Sequence, residues 1–411
     1  MPEKLPGPEF TIIEKFLSIL TLFCLINSNI LLTIASLFFI LLLNFFMKKL
    51  FLIFNPIESL LPVMLIIKKS FIISIFIVFF VTINNSYSQE GIFDDNGVIA
   101  IMYHRFEENK YPSTNVRIEN FKDHIRLIKD NKIKIINPNN FEDSLREEKK
   151  QKKVLLTIDD AFSSFYENAW PILKESEIPF ILFVSTREVG KFNYMTWKQI
   201  QEISKKSFVH IGNHSHTHEY LVDQNSDEIK EDIQKSISIL EEKIGYKTNF
   251  FSYPFGEYSL EFKKIIKDLK FKYAFGQHSG VADESKDFLE LPRFPINEKY
   301  GEIKRFNTIL NTLPLKFQKI SPAEKYINDL TNPPKINIEF FKNIKNLKLI
   351  NCFSNEENKW RKSKIKFIDD STIEIQLDGK FTTERGRVNC SIREASNTYR
   401  WLGLQFVVAE K

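Results

Sequence analysis

From Gly97 onward the chain alternates strand-like and helix-like segments with a regularity that few architectures can use. Val98 to Tyr103 reads as a strand and Ile118 to Lys129 as a helix with Phe121, Ile125 and Ile128 on one face. Lys132 to Ile136 is a short strand. Val154 to Ile158 is another, followed by a helix over Phe165 to Glu175. Phe180 to Val184, Phe208 to Ile211, Phe250 to Tyr253 and Tyr273 to Phe275 read as further strands. Between them lie helices over Thr196 to Ser204, Ser226 to Ile244 and Leu260 to Leu269. The clearest is Ser226 to Ile244, with Ile229, Ile233, Ile237, Leu240 and Ile244 on one stripe, Ser226 to cap its start and Gly245 its end. Repeated strand-then-helix units predict an α/β fold with a parallel sheet closed, or nearly closed, into a barrel.

In such a barrel the chemistry gathers where strands end. His104 follows the first strand, and Asp159 and Asp160 end the Val154 strand. His214 and His218 come just after Ile211, and Ser252, Pro254 and Gly256 close the Phe250 strand. Adjacent residues of an extended backbone point to opposite sides, so one aspartate could hold a metal while the other faces a water. The bland alternative for such a pair is a solvated turn or a helix cap. His214 and His218, at i and i+4, can present two imidazoles to one divalent ion in a tight turn; the alternative is a solvated histidine loop. With one carboxylate they make a set that leaves coordination positions open, and no cysteine lies near enough to suggest a closed structural zinc site.

The chain has 411 residues and a net charge of +5. That is mild, and there is no basic stripe with interleaved aromatics, so nucleic acid is not an expected partner. The N-terminal part is not globular in composition. Phe16 to Phe46 carries no charge and exceeds the ~20 residues that span a bilayer. A shorter apolar run, Ser70 to Ile83, follows Lys68 and Lys69 and precedes the small polar stretch before Gln89, in the manner of a secretory signal. Residues 1–89 are therefore expected to hold a membrane segment and a signal-like segment, with translation from Met1 or Met64. Either start exports the rest, to a membrane-anchored or extracytoplasmic place in a bacterial envelope. Cys352 and Cys390 lie on predicted strands; a disulfide between them and a pair of buried thiols are both open.

After about Thr308 the pattern changes. Short strands over Leu347 to Phe353, Lys364 to Ile368, Thr372 to Leu377, Arg387 to Ile392 and Tyr399 to Val407 predict a small β-sandwich over residues 335–411, with Asp378-Gly379 as a hairpin turn. Trp360, Tyr399 and Trp401 could form a sugar-stacking platform or be core residues.

Three motifs carry a resemblance. Thr157-Ile158-Asp159-Asp160-Ala161 resembles the Thr-Phe-Asp-Asp-Gly signature of the NodB-type polysaccharide deacetylases, carbohydrate esterase family 4. His214-Ser215-His216-Thr217-His218 fits that family's His-[Ser/Thr]-x-x-His motif. Ser252-Tyr253-Pro254-Phe255-Gly256 is similar to its Arg-x-Pro-Tyr motif. The resemblance covers about Gly97 to Tyr300 and implies a distorted (β/α) barrel over residues 97–308. It implies Asp160, His214 and His218 as ligands of a divalent metal, zinc by the chemistry of the set, and Asp159 as general base. It further implies that the Phe255 N–H stabilises an oxyanion. The family's late Leu-x-His motif is missing, but Met102-Tyr103-His104-Arg105-Phe106 resembles a circularly permuted subgroup of periplasmic and biofilm deacetylases. This makes His104 the general acid, with His278 as runner-up. Ala161 stands where the family has glycine, which is tolerable only without a positive φ there. Ser252 stands where it has the arginine that orients the base, a task Arg293 could take from another strand. The family's Asp-rich fourth motif is not evident. The implied reaction is metal-dependent removal of N-acetyl groups from an acetamido-sugar polysaccharide of the envelope. The alternatives are an O-acetyl esterase, a small-amide deacylase or an inactive glycan-binding module.

Overall fold

The computed structural model describes residues 96–147, 151–342, 344–395 and 398–409. The expected membrane and signal segments lie outside the described residues; among those described, no helix is long and apolar enough to cross a membrane.

Eight parallel strands form the first sheet. They are β1 (Val98–Tyr103), β2 (Lys134–Ile135), β3 (Lys153–Ile158), β4 (Phe180–Val184), β5 (Val209–Asn213), β6 (Phe250–Ser252), β7 (Tyr273–Phe275) and β8 (Phe294–Pro295). Their order is β8-β1-β3-β4-β5-β6-β7, with β2 also on β3. The alternation of side chains divides this sheet into two faces. Val98, Ala100, Leu155, Ile181, Phe183, Phe250, Tyr273 and Phe275 share one apolar cluster with Leu291. Ile99, Ile101, Val154, Leu156, Phe180, Leu182 and Ile211 lie in another, against the helices. One face of nearly every strand meeting in a single cluster requires the sheet to curl around it.

Of the two expected forms, closed or nearly closed, the sheet takes the open one: β7 and β8 are edges rather than neighbours. The gap is crossed by one extended segment. Leu291 bridges Phe275 at one edge, and Phe294 and Pro295 pair with Ile101 and Met102 at the other. Arg293 sits within that crossing.

The helices follow from local chemistry. The longest, Ser226–Ile244, buries Ile229, Ile233 and Leu240, each worth about 1.5–3 kcal/mol when withdrawn from water. Asn225, not Ser226, caps it, through the N–H groups of Asp227 and Glu228, and Gly245 ends it at φ 82°. The helix expected over 165–175 divides into a π-helical turn, Phe165–Ala169, and an α-helix, Trp170–Glu175. Pro171 at the junction has no N–H for the backbone ladder.

The C-terminal region forms two sheets. One orders Thr312–Pro314, Thr398–Val408, Arg385–Ala395, Asn351–Ser354 and Arg361–Lys362. The other orders Phe317–Ser321, Ile336–Phe340, Thr372–Gln376 and Lys364–Phe367. Ile336, Ile338, Ile373 and Ile375 of one share a cluster with Val388, Ile392, Leu404 and Phe406 of the other. Cys352 and Cys390 face each other across neighbouring strands and are joined by a disulfide. Asp378-Gly379 makes no hairpin, because the strands before and after it belong to different sheets. The Gly379 N–H instead donates to the Glu356 carboxylate. Nor do the aromatic rings gather into a platform. Trp401 packs edge-on to Phe294 and donates its indole N–H to Asn389, while Trp360 is exposed beside the far edge strand. Two strands intervene, and strands stand about 4.8 Å apart.

Candidate active site

The parity of β3 sends Leu155, Thr157 and Asp159 toward the interior of the curl. There Asp159 is fully buried. A buried carboxylate needs a partner, and Arg293 supplies one by two parallel bonds: Nη1 to Oδ1 at 2.7 Å and Nη2 to Oδ2 at 2.8 Å. The same guanidinium donates to Ser252 Oγ, Thr157 Oγ1 and the Gly276 carbonyl. Ser252 Oγ in turn donates to Asp159 Oδ2 at 3.2 Å. Burial pushes the Asp159 carboxyl up, but the charges of Arg293 and His214 outweigh it and hold the group below its ordinary value. Arg293, 134 residues away in sequence, thus contacts the carboxylate where the family motif has its arginine at position 252.

The two aspartates do not simply point to opposite sides. Asp160 and Ala161 both adopt left-handed backbone, φ 73° and 57°. The chain turns sharply off the strand, and both carboxylates approach His214: Nε2 stands 3.9 Å from Asp159 Oδ2 and 3.4 Å from Asp160 Oδ1. Ala161 therefore does occupy a positive-φ position, contrary to the condition its residue type set.

His214 and His218 reach the same point from the end of β5. His214 Nδ1 lies 2.6 Å from the Ser252 carbonyl. A carbonyl only accepts, so Nδ1 carries the proton and Nε2 offers a lone pair. His218, at φ 53°, brings its Nε2 to 3.2 Å from Asp160 Oδ1. Asp160 Oδ1 is buried and makes no hydrogen bond among the described residues. The donor atoms of Asp160, His214 and His218 all lie within 4.8 Å of one another. Tetrahedral donors at ~2.1 Å from zinc stand about 3.4 Å apart, so these residues fit a divalent cation with positions left open. Burial pushes Asp160 up, yet the two imidazoles carry it well below the ordinary carboxylate range, and Asp160 in turn raises His218 against its burial.

His104 follows β1, whose Tyr103 pairs with Ile158, so it stands beside Asp159 in register. Its Nδ1 is buried without a hydrogen-bond partner among the described residues. Burial pushes its pKa down, opposed by Asp160 and Asp159. His278 is elsewhere, in a cavity of about 290 Å³ lined also by Lys325, Phe317 and Trp401, where burial pushes it down to about 4. The remaining histidines are held by local bonds: His124 by Gly301, His210 by Thr248, His216 by Thr186.

Phe255 has φ 57°, and its N–H makes no hydrogen bond among the described residues. Its ring stacks on Tyr220 at 4.3 Å and meets the edge of His218 at 4.7 Å. Two features had no signal in the sequence. Tyr194, pushed up to about 12 by burial and by Asp160, packs against Phe162 at the rim. The Arg105 guanidinium lies 3.4 Å over the Phe162 ring and pairs with Glu108. Together these side chains make an aromatic and cationic wall beside Asp160.

Residues 146–274 match the family model described as polysaccharide deacetylase. The poly-beta-1,6-N-acetyl-D-glucosamine N-deacetylase of Staphylococcus aureus (strain MRSA252) is 25% identical over 246 residues, 52% of this chain and 84% of its own length. Among solved structures, IcaB from Ammonifex degensii is 25% identical with a TM-score of 0.47, covering 50% of this chain and 94% of that one. The Streptococcus pyogenes deacetylase PplD in complex with acetate is 24% identical with a TM-score of 0.46, covering 49% and 93%.

Proposed function

We propose that this chain, whose residues 146–274 match the polysaccharide deacetylase family model, removes N-acetyl groups from an acetamido-sugar polysaccharide outside the cytoplasm. The observation that carries this reading is the ionised, Arg293-clamped Asp159 beside a convergent Asp160, His214 and His218 set. A glycan-binding module would need no such base.

Asp160, His214 and His218 would hold a divalent ion, a set of two imidazoles and a carboxylate that suits zinc. When bound, the ion supplies Lewis acidity to the site. The chain's own residues do the rest. Asp159 takes a proton from the attacking water, and Arg293 keeps it ionised and aligned for that step. The Phe255 N–H donates to the oxygen that gains charge as the amide carbon becomes tetrahedral. His104 gives a proton to the departing amine nitrogen, and its place directly after the first strand fits the permuted subgroup. The wall of Arg105, Phe162 and Tyr194 borders the sugar, and the C-terminal pair of sheets, expected over 335–411 but beginning with Thr312–Pro314 and Phe317–Ser321, accompanies the curled sheet of 97–308. The apolar residues before 89 export or anchor the protein in a bacterial envelope.

Acetate release on chitooligosaccharides, poly-N-acetylglucosamine and peptidoglycan, with bound metal quantified, tests this. About one metal per chain, and release abolished in Asp159→Asn with metal retained, is the expected result. Metal without release from any of these polymers points to an O-acetyl or small-amide substrate. A protein that binds no divalent metal overturns the assignment.

A further inference from the structure

The loop after β6 carries two consecutive left-handed residues, Phe255 at φ 57° and Gly256 at φ 72°. Gly256 has no alternative, since a Cβ there would stand 2.4 Å from the Gln277 side chain and 2.5 Å from its backbone nitrogen. Phe255 has no such excuse. A non-glycine residue in this region is disfavoured and persists only where its surroundings over-determine it. The 3₁₀ turn contributes two bonds of its own, Gly256 N–H to the Tyr253 carbonyl and Glu257 N–H to the Pro254 carbonyl. Tyr220 and His218 pack on the Phe255 ring, and further restraints come from the C-terminal sheet.

Gln405, buried on the Thr398–Val408 strand, turns its amide toward this loop. Nε2 lies 3.2 Å from the Gly256 carbonyl and 3.5 Å from the Phe255 carbonyl. The orientation of the amide is fixed, because Arg387 Nε donates to Oε1 at 3.3 Å. A flipped amide would set oxygen against two carbonyls and NH2 against a guanidinium. Arg385, on the paired strand, places Nε 3.2 Å from Glu257 Oε1 and its guanidinium 5.9 Å from the Phe255 ring centre. Tyr220, whose ring stacks on Phe255, flanks the same loop. Two residues of one sheet, Gln405 and Arg385, thus hold the carbonyls and the following side chain of the residue whose N–H makes no hydrogen bond among the described residues.

We propose that the C-terminal sheet is part of the catalytic apparatus rather than an appended binding module, with Gln405 and Arg385 as positioning residues that hold the Phe255 N–H at the reacting carbonyl. This rests on the deacetylase reading above. Neither residue touches substrate; they act through the loop. Removing one oxyanion donor costs about 10²–10³ in rate, and a loop that holds it loosely costs a fraction of that.

The test is Gln405→Met in the full chain, which keeps the side chain's length and loses the donor, with Arg385→Ala beside it. Hydrogen exchange over residues 253–258 is followed together with kcat and KM for acetate release and with metal content. Exchange in the loop is expected to quicken about tenfold or more while β1 and β3 stay protected. The kcat is expected to fall about tenfold or more, with KM and metal content unchanged. Unaltered loop exchange and unaltered kcat overturn the proposal. A raised KM with kcat kept also overturns it, and assigns the sheet to glycan binding instead. If the wild type releases no acetate yet Gln405→Met loosens the loop, the deacetylase reading fails while the positioning of the loop stands. The two failures are thereby told apart.

Discussion

At the scale of single residues, the site is held by backbone that its sequence does not favour. Ala161 sits at φ 57°, buried, with its carbonyl accepting from Met195 N–H. A Cβ in this region is strained, whereas glycine enters it freely. Ala161→Gly is therefore expected to raise stability by about 1 kcal/mol, read as a later denaturation midpoint, without loss of metal binding. A neutral or negative shift would show that Ala161 is relaxed. The sequence made Asp159, Asp160, His214 and His218 legible because residue type and strand-end position agree. It could not show that the left-handed turn at 160 and 161, not strand alternation, brings both carboxylates to one point. Ser252 illustrates the other limit. In sequence it is a lost arginine; in space its hydroxyl bridges Asp159 and Arg293, and its carbonyl fixes the tautomer of His214. Tyr194 carried no local pattern at all, since its place depends on a loop meeting Phe162.

At the scale of elements, periodicity found seven of the eight strands of the first sheet and most of its helices to within about two residues, but missed Phe294–Pro295 and the helices Phe141–Arg146 and Ile303–Leu310, while ends depended on bonds that periodicity does not see. The Asn225 side chain accepts from two N–H groups at the start of the Ser226–Ile244 helix, and its backbone N–H donates to the Glu228 carboxylate in return. Asn225→Ala is expected to cost about 1 kcal/mol, and Ser226→Ala only a few tenths; equal costs in chemical denaturation would contradict this. The loop after β6 adds a pH-dependent element. Burial raises Glu257 from an ordinary 4.5 to about 7, only partly countered by Arg385. The folded state therefore keeps a proton that the unfolded chain releases first. Stability from this group is complete below pH 4.5 and is lost as pH rises through 7, by about 3 kcal/mol at most. Glu257→Gln is expected to flatten that decline, seen by comparing denaturation midpoints at pH 5 and pH 8. An unchanged decline would mean that Glu257 ionises freely. The Asp378-Gly379 misreading belongs to this scale too, because a turn signal cannot say whether the next strand returns to the same sheet.

At the scale of the whole molecule, the C-terminal sheets carry a bond that closes 38 residues. In the loop-entropy model, such a link contributes about 3–4 kcal/mol by restricting the unfolded chain. Cys352→Ser with Cys390→Ser is expected to lower the denaturation midpoint accordingly, and to lower acetate release at temperatures where the C-terminal sheets loosen. Full activity with those sheets melted would separate them from the site. Which edges of the first sheet meet was not legible either. Parallel strand-and-helix units specify neighbours, but closure depends on whether the last strands have length enough to pair, and Phe294–Pro295 is only a stub.

That stub has a consequence for the order in which the protein can become active during synthesis. The ligand set is complete once His218 has left the ribosome, but the arginine that fixes the base arrives with the crossing segment, 134 residues after Asp159. Contacts so distant along the chain form late. On the deacetylase reading proposed above, a nascent or truncated chain would hold an ion while its aspartate is still free to swing, so that metal loading would mark an early stage of maturation and hydrolytic competence a late one.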